Sequence, residues 1–151
     1  MKKLQKNNVE RFWKKKEEEI GEKIHGRHMA RFNSGYQNVS KPIWGILFYS
    51  KSAFYFQTFP HQSWFFSLTR GGQSESEDKQ LSFQIRWSDV EKIYLPPKKH
   101  SFLSTLSPPD YRIFIDYKEI DKIVTLTLTM CSRENCDSFT EFYKNWKVKK
   151  I

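Results

Sequence analysis

Few side chains in this 151-residue chain are spaced for chemistry. Its four histidines are His25, His28, His61 and His100, and only His25 and His28 lie close enough to share one helix face. Two imidazoles leave a zinc ion short of the three or four protein ligands it takes. The two cysteines, Cys131 and Cys136, have no C-x-x-C partner and no histidine beside them. They are expected to be reduced, half-buried thiols that pack as small hydrophobes, in preference to a zinc or redox pair. Gly71-Gly72 lacks the Lys-Ser/Thr that makes a glycine-rich turn into a phosphate loop, and no Ser/His/Asp order or paired carboxylates stand out. The expectation is a protein that is not an enzyme, with no catalytic residues, no metal and no cofactor. An uncharacterised enzyme is the outside alternative, and it would need a cleft with convergent titratable groups.

Binding chemistry is better represented. Between Pro96 and Pro109 the chain places Lys98, Lys99 and His100 beside Phe102, Leu103 and Leu106. Basic residues next to isolated large apolar ones suit a membrane interface or a protein hook. The competing expectation is that Phe102 and Leu106 fold back onto the core and the lysines are simply solvated. At about 1 kcal/mol per lysine near anionic lipid, Lys98 and Lys99 would attach the protein only weakly. A second candidate is Phe12, Trp13, Lys14, Lys15 and Lys16 near the N-terminus. As a basic amphipathic helix this segment could lie on a membrane, but five glutamates between Glu10 and Glu22 favour packing on the domain or on a partner. Nucleic acid is disfavoured: Trp44, Phe54, Trp64 and Tyr111 could stack on bases, yet they sit in strand-like runs where alternate positions face a core.

The elements that would position these groups follow from periodicity. Residues 1–30 form a basic helical extension, with a helix expected from about Asn8 to Ile24 on an interrupted stripe of Val9, Phe12, Trp13, Ile20 and Ile24. Gly21 weakens that helix and Gly26 is the expected stop. Residues 31–151 form the domain proper. A first strand is expected within Arg31–Val39, then a hairpin of Ile43–Tyr49 and Phe54–Phe59 around Ser50-Lys51-Ser52-Ala53. Trp64–Leu68 continues or restarts the strand, and Arg70–Lys79 reads as a solvated loop. Leu81–Trp87 and Tyr111–Tyr117 alternate apolar and polar residues, the mark of half-buried strands. A Ser88-Asp89 corner leads to a short strand, Val90–Leu95. Lys122–Met130 sets Val124, Leu126, Leu128 and Met130 against a row of threonines.

The chain then changes period. Cys136, Phe139, Phe142, Tyr143 and Trp146 recur at helical spacing behind Ser132, a plausible N-cap. The fold class is therefore mainly β: a barrel or orthogonal sandwich of six to seven antiparallel strands, capped by one C-terminal amphipathic helix. Phe139, Phe142, Tyr143 and Trp146 serve as the structural cap. The net charge of +9 and pI near 9.5 favour an anionic partner, whether nucleic acid, an acidic protein surface or anionic lipid, without choosing between them; the partner expected from the whole reading is a protein or an anionic lipid surface. No apolar run approaches the roughly 20 residues of a membrane span. The N-terminus does not read as a signal peptide. A cytosolic protein is expected, with peripheral membrane attachment as a variant.

This order resembles the pleckstrin-homology (PH)-like superfold, and within it the GRAM and short bacterial PH-like domains. Gly45-Ile46-Leu47-Phe48-Tyr49-Ser50 followed by Ala53-Phe54-Tyr55-Phe56 is similar to the family's glycine-initiated strand, turn and aromatic strand. Phe83–Ile93 is similar to its strand, Ser/Asp corner and next strand, and Ile123–Met130 with Asp137–Trp146 to its last strand and capping helix. The resemblance covers about residues 31–148 and implies a non-enzymatic binding module for a protein or an anionic membrane surface. Lipid-binding PH domains usually carry a basic cluster between their first two strands, where Gly35–Pro42 offers only Lys41.

Overall fold

The computed structural model describes residues 2–39 (side chains from Lys6), 41–58, 81–96 and 109–149. Helix α1 (Lys2–Ile20) is followed by strands β1 (Gly26–Ser34), β2 (Ile43–Tyr49), β3 (Ala53–Thr58) and β4 (Ser82–Arg86). A 3-10 turn (Trp87–Asp89) leads to β5 (Val90–Tyr94), β6 (Arg112–Glu119), β7 (Lys122–Met130) and helix α2 (Arg133–Lys149). All strand pairs are antiparallel, in the order β4-β3-β2-β1-β7-β6-β5. The expected mainly-β architecture is what the chain adopts. The expected Trp64–Leu68 strand, the Arg70–Lys79 loop and the segment from Lys98 to Leu106 lie outside the described residues.

The sheet curls on itself. Phe32 of β1 and Phe83 of β4 stand three strands apart, roughly 14 Å in a flat sheet at about 4.8 Å per strand. Their rings are nevertheless 6.1 Å apart, centroid to centroid. One apolar cluster fills the concave side with residues of every strand, among them Phe32, Leu47, Phe56, Ile85, Ile115 and Leu128. The Ser88-Asp89 corner is the 3-10 turn, and Trp87 within it is fully buried. Its indole N–H donates to the Ser50 carbonyl at 2.8 Å and its backbone N–H to the Ser52 carbonyl at 3.0 Å, which ties the corner to the β2–β3 turn.

Helix α2 closes the open end beside this corner. Ser132 caps it, accepting from the Asn135 N–H at 3.1 Å. Phe139 has no exposed surface, and its ring lies 5.5 Å from Tyr49, 5.5 Å from Phe54 and 5.6 Å from Trp87. Tyr143 is buried and donates to the Val90 carbonyl at 3.2 Å, while Phe142 and Trp146 pack at the rim of the core. Cys136 is buried on the same face, and Cys131 is exposed at the end of β7 rather than half-buried as expected.

Several boundaries differ from the sequence reading: the N-terminal helix begins at Lys2, ahead of the expected Asn8. The N-terminal helix ends at Ile20, because Gly21 takes φ +73° and its N–H closes back on the Glu17 carbonyl at 2.9 Å. Strand β1 starts at Gly26, ahead of the expected Arg31, and ends at Ser34. Gly35 turns the chain at φ +102°, where a Cβ would strike the Thr125 carbonyl.

Candidate functional site

The outer face of the curled sheet is divided in two. Helix α1 covers one part. Trp13 is buried against Ile46 and Phe48, which β2 turns outward, and Val9, Phe12, Ile24 and Tyr55 border that contact. Its ring meets Phe48 edge-on at 5.4 Å, and the Arg27 guanidinium lies 5.0 Å from the indole. Lys16 pairs with Glu19 at 3.1 Å, while Lys14 and Lys15 are exposed. The N-terminal candidate set is thus split: Trp13 is consumed by docking on the domain, Phe12 is half-buried, and two of the three lysines face solvent. Glu22, just after the helix, accepts from the Ser50 hydroxyl at 3.0 Å and the Ser52 hydroxyl at 2.7 Å, fastening the segment to the β2–β3 turn.

Among the described residues no element covers the other part of the outer face, and strand register assembles it. Trp44 opposes Arg31 across β2 and β1; Arg31 opposes Thr129 across β1 and β7; Thr129 opposes Arg112 across β7 and β6. These four residues form one row across four strands. The next row runs Ser34, Thr127, Phe114 and Tyr94. Met29, diagonal to Trp44, points the same way. Met29, Trp44 and Tyr94 are 36%, 37% and 39% exposed, against the near-zero exposure of the core aromatics.

Each ring on this face carries a cation. Arg31 lies 5.9 Å from the Trp44 ring, Arg112 5.4 Å from Phe114 and Lys92 4.8 Å from Tyr94. Tyr94 and Phe114 stack at 5.2 Å. Two of the cations already have carboxylates: Arg112 grips Asp110 with its closest contact at 2.7 Å, and Lys92 lies 3.8 Å from Asp116. Arg31 instead donates through Nε to the Asn33 amide oxygen at 3.0 Å, and Asn33 donates to the Thr129 hydroxyl at 2.7 Å. No ion pair to Arg31 is formed among the described residues.

The two described histidines make separate contacts, and His61 and His100 lie outside the described residues. His25 packs its ring against Phe142 at 5.4 Å, while His28 Nε2 is 3.1 Å from the Tyr49 hydroxyl. Burial lowers the His28 pKa from its ordinary 6.5, opposed by a hydrogen bond with Asn135. Burial also pushes the Tyr49 hydroxyl up to about 12. Among the described residues no three His, Cys, Asp or Glu side chains gather as a metal site would require. A groove of about 240 Å³ between α1 and β3–β4 is lined by the Lys16–Glu19 pair, Tyr55 and Gln57. Of the rings considered for base stacking, Phe54 is fully buried, Tyr111 is half-buried, Trp44 is exposed and Trp64 lies outside the described residues. The β1–β2 connection is a tight turn in which Tyr36 bridges to Val39 and stacks on Phe83 at 4.3 Å.

Several solved structures share this arrangement. The chain superimposes with TM-score 0.59 on the hSac2 domain from the human phosphoinositide phosphatase Sac2, at 15% identity, covering 97% of this chain and 85% of that one. The C-terminal domain of an unknown protein from Leishmania infantum matches with TM-score 0.51 at 14% identity, over 91% of this chain and 97% of the other. The DH/PH domains of p115-RhoGEF match with TM-score 0.53 at 6% identity, over 83% of this chain and 31% of that longer one. The fold is PH-like. No protein-family model and no curated protein matches the sequence. At these identities the likeness extends to architecture alone: the PH-like sheet and its capping helix are shared, and the row Trp44–Arg31–Thr129–Arg112 is described from this chain only. No described helix is long and apolar enough to cross a membrane.

Proposed function

We propose that this chain is a non-enzymatic PH-like binding module whose ligand is a protein, docked on the open outer face of the sheet. The observation that carries the reading is that face itself. Tryptophan, tyrosine, methionine and arginine are the residue types enriched at protein interfaces, and here Trp44, Tyr94 and Met29 stand exposed on one surface with the half-buried Arg31 among them. The β1–β2 connection supports it from the other side. It contributes Lys41 as its one cation, so the basic cluster usual in phosphoinositide-binding PH domains is lacking there. In this reading residues 1–30 are an extension fastened to the sheet, and residues 31–151 carry the PH-like domain, with its first strand begun by the end of the extension. The GRAM and bacterial PH-like subgroup enters on the sequence pattern of Gly45–Ser50 and Phe83–Ile93.

A second reading, an anionic membrane surface, rests on Lys98, Lys99, His100, Phe102, Leu103 and Leu106, with a cytosolic protein visiting the membrane. Co-sedimentation with neutral and with anionic vesicles, the latter containing phosphatidylserine or phosphoinositides, separates the two. The expected result is no gain in binding on anionic vesicles at low salt. A salt-sensitive gain that disappears in Lys98→Glu plus Lys99→Glu would move the function to the membrane.

A further inference from the structure

Resting on the protein-binding reading, we propose that the open outer face binds an acidic segment of its partner through an apolar anchor and a carboxylate. The anchor seats beside Met29 and Trp44, and the carboxylate pairs with Arg31. The chain itself shows how this face takes a ligand: α1 seats the Trp13 indole on Ile46 and Phe48 with Arg27 laid over it. Four residues further along the same strands, Arg31 and Trp44 repeat the Arg27–Phe48 pair, with Met29 beside them and no described α1 residue in the cluster over them.

Charge selects the partner. Arg112 and Lys92 are paired with Asp110 and Asp116 within the chain, whereas the Arg31 guanidinium is held by the neutral Asn33. Arg31 is thus pre-oriented, with its terminal N–H groups left to grip a carboxylate in the fork geometry an arginine favours. The rings argue against a nucleic-acid strand. Trp44, Phe114 and Tyr94 already carry Arg31, Arg112 and Lys92 on their faces, so each stacked base would have to displace a cation. An acidic side chain leaves all three contacts in place and adds to them. A membrane is disfavoured by position, because the apolar residues lie mid-sheet rather than on a protruding loop.

The test is selection of short random peptides displayed on phage against the full chain. The selected peptides should carry aspartate or glutamate around a bulky apolar residue. A synthetic peptide of that sequence should bind about tenfold more weakly to Arg31→Glu and to Trp44→Ala, and should weaken as salt is raised. Trp44 is exposed and Arg31 half-buried, and an unchanged melting temperature verifies that each variant folds. Lys144→Glu on α2 should leave binding unchanged. An empty selection, peptides without acidic residues, or an equal loss in Lys144→Glu overturns the inference, as does displacement by oligothymidylate with the same dependence on Trp44. Acidic peptides that bind equally well to Arg31→Glu and Trp44→Ala place the site elsewhere while the protein-binding reading stands. Vesicle binding is the separate result that removes that reading.

Discussion

At the scale of single residues, two positions are held against their own preference. Ile120, at the tip of the β6–β7 hairpin, takes φ +56° while 95% exposed. A β-branched residue in the left-handed region costs about 1–2 kcal/mol, and at this exposure no burial offsets it. Ile120→Asn should therefore stabilise the protein by about 1 kcal/mol, since asparagine tolerates that conformation. Equilibrium urea unfolding reads this directly, and a lower midpoint in the variant would show that Ile120 makes a contact that matters. His28 is the second. Burial beside Tyr49 lowers its pKa below the ordinary 6.5, so the unfolded chain takes up the proton more readily than the folded one. Its contribution to stability is then present above about pH 6.5 and lost as the pH falls through the lower folded value. The urea midpoint should drop between about pH 7.5 and about pH 5.5, and His28→Gln should make that drop smaller. An identical drop in the variant would assign the effect to other groups.

At the scale of elements, α2 is a plug. Its five sequence-predicted positions either fill the core or border it, and Phe139 sits among Tyr49, Phe54 and Trp87, from β2, β3 and the corner. Phe139→Ala should cost about 3–5 kcal/mol, because those rings belong to three separate elements and cannot collapse together on the space left. A calorimetric melt shifted by only a degree or two would mean the end of the sheet closes without the helix. This element was legible because its apolar face repeats at helical spacing and its cap, Ser132, stands where a cap is expected. Strand β1 was not legible over its first half for the opposite reason. Gly26 and Ala30 face inward there, and a Cβ on Gly26 would fall inside the Tyr49 ring. The volume that an apolar residue of β1 would have occupied is filled by a side chain of β2, so the alternation that marks a strand is missing.

At the scale of the whole molecule, what local pattern could not reveal is how distant segments line up. Trp44, Arg31, Thr129 and Arg112 share a row only through three strand registers, and the helix that covers the neighbouring part of the face precedes β1 and packs on β2. Apart from the first half of β1, the inner core was legible strand by strand; the outer face depends on pairing between strands up to about a hundred residues apart, which periodicity does not encode. The separation of the two faces has a consequence for α1. The main core contains no α1 residue, and α1 meets the sheet through a separate small cluster centred on Trp13. Removing residues 1–20 should therefore leave the seven-stranded domain folded, with Glu22 still clamping the β2–β3 turn. It should also strip the cover from Ile46, Phe48 and Tyr55. Each large apolar side chain exposed forfeits about 1.5–3 kcal/mol, partly offset by the freedom α1 regains. The shortened chain should melt at lower temperature, keep the near-ultraviolet circular dichroism of the buried Trp87, and self-associate through the bared patch in light scattering. Loss of the Trp87 signal at low temperature would show instead that the helix is part of the folding unit, and that the outer face is organised by α1 rather than by the sheet alone.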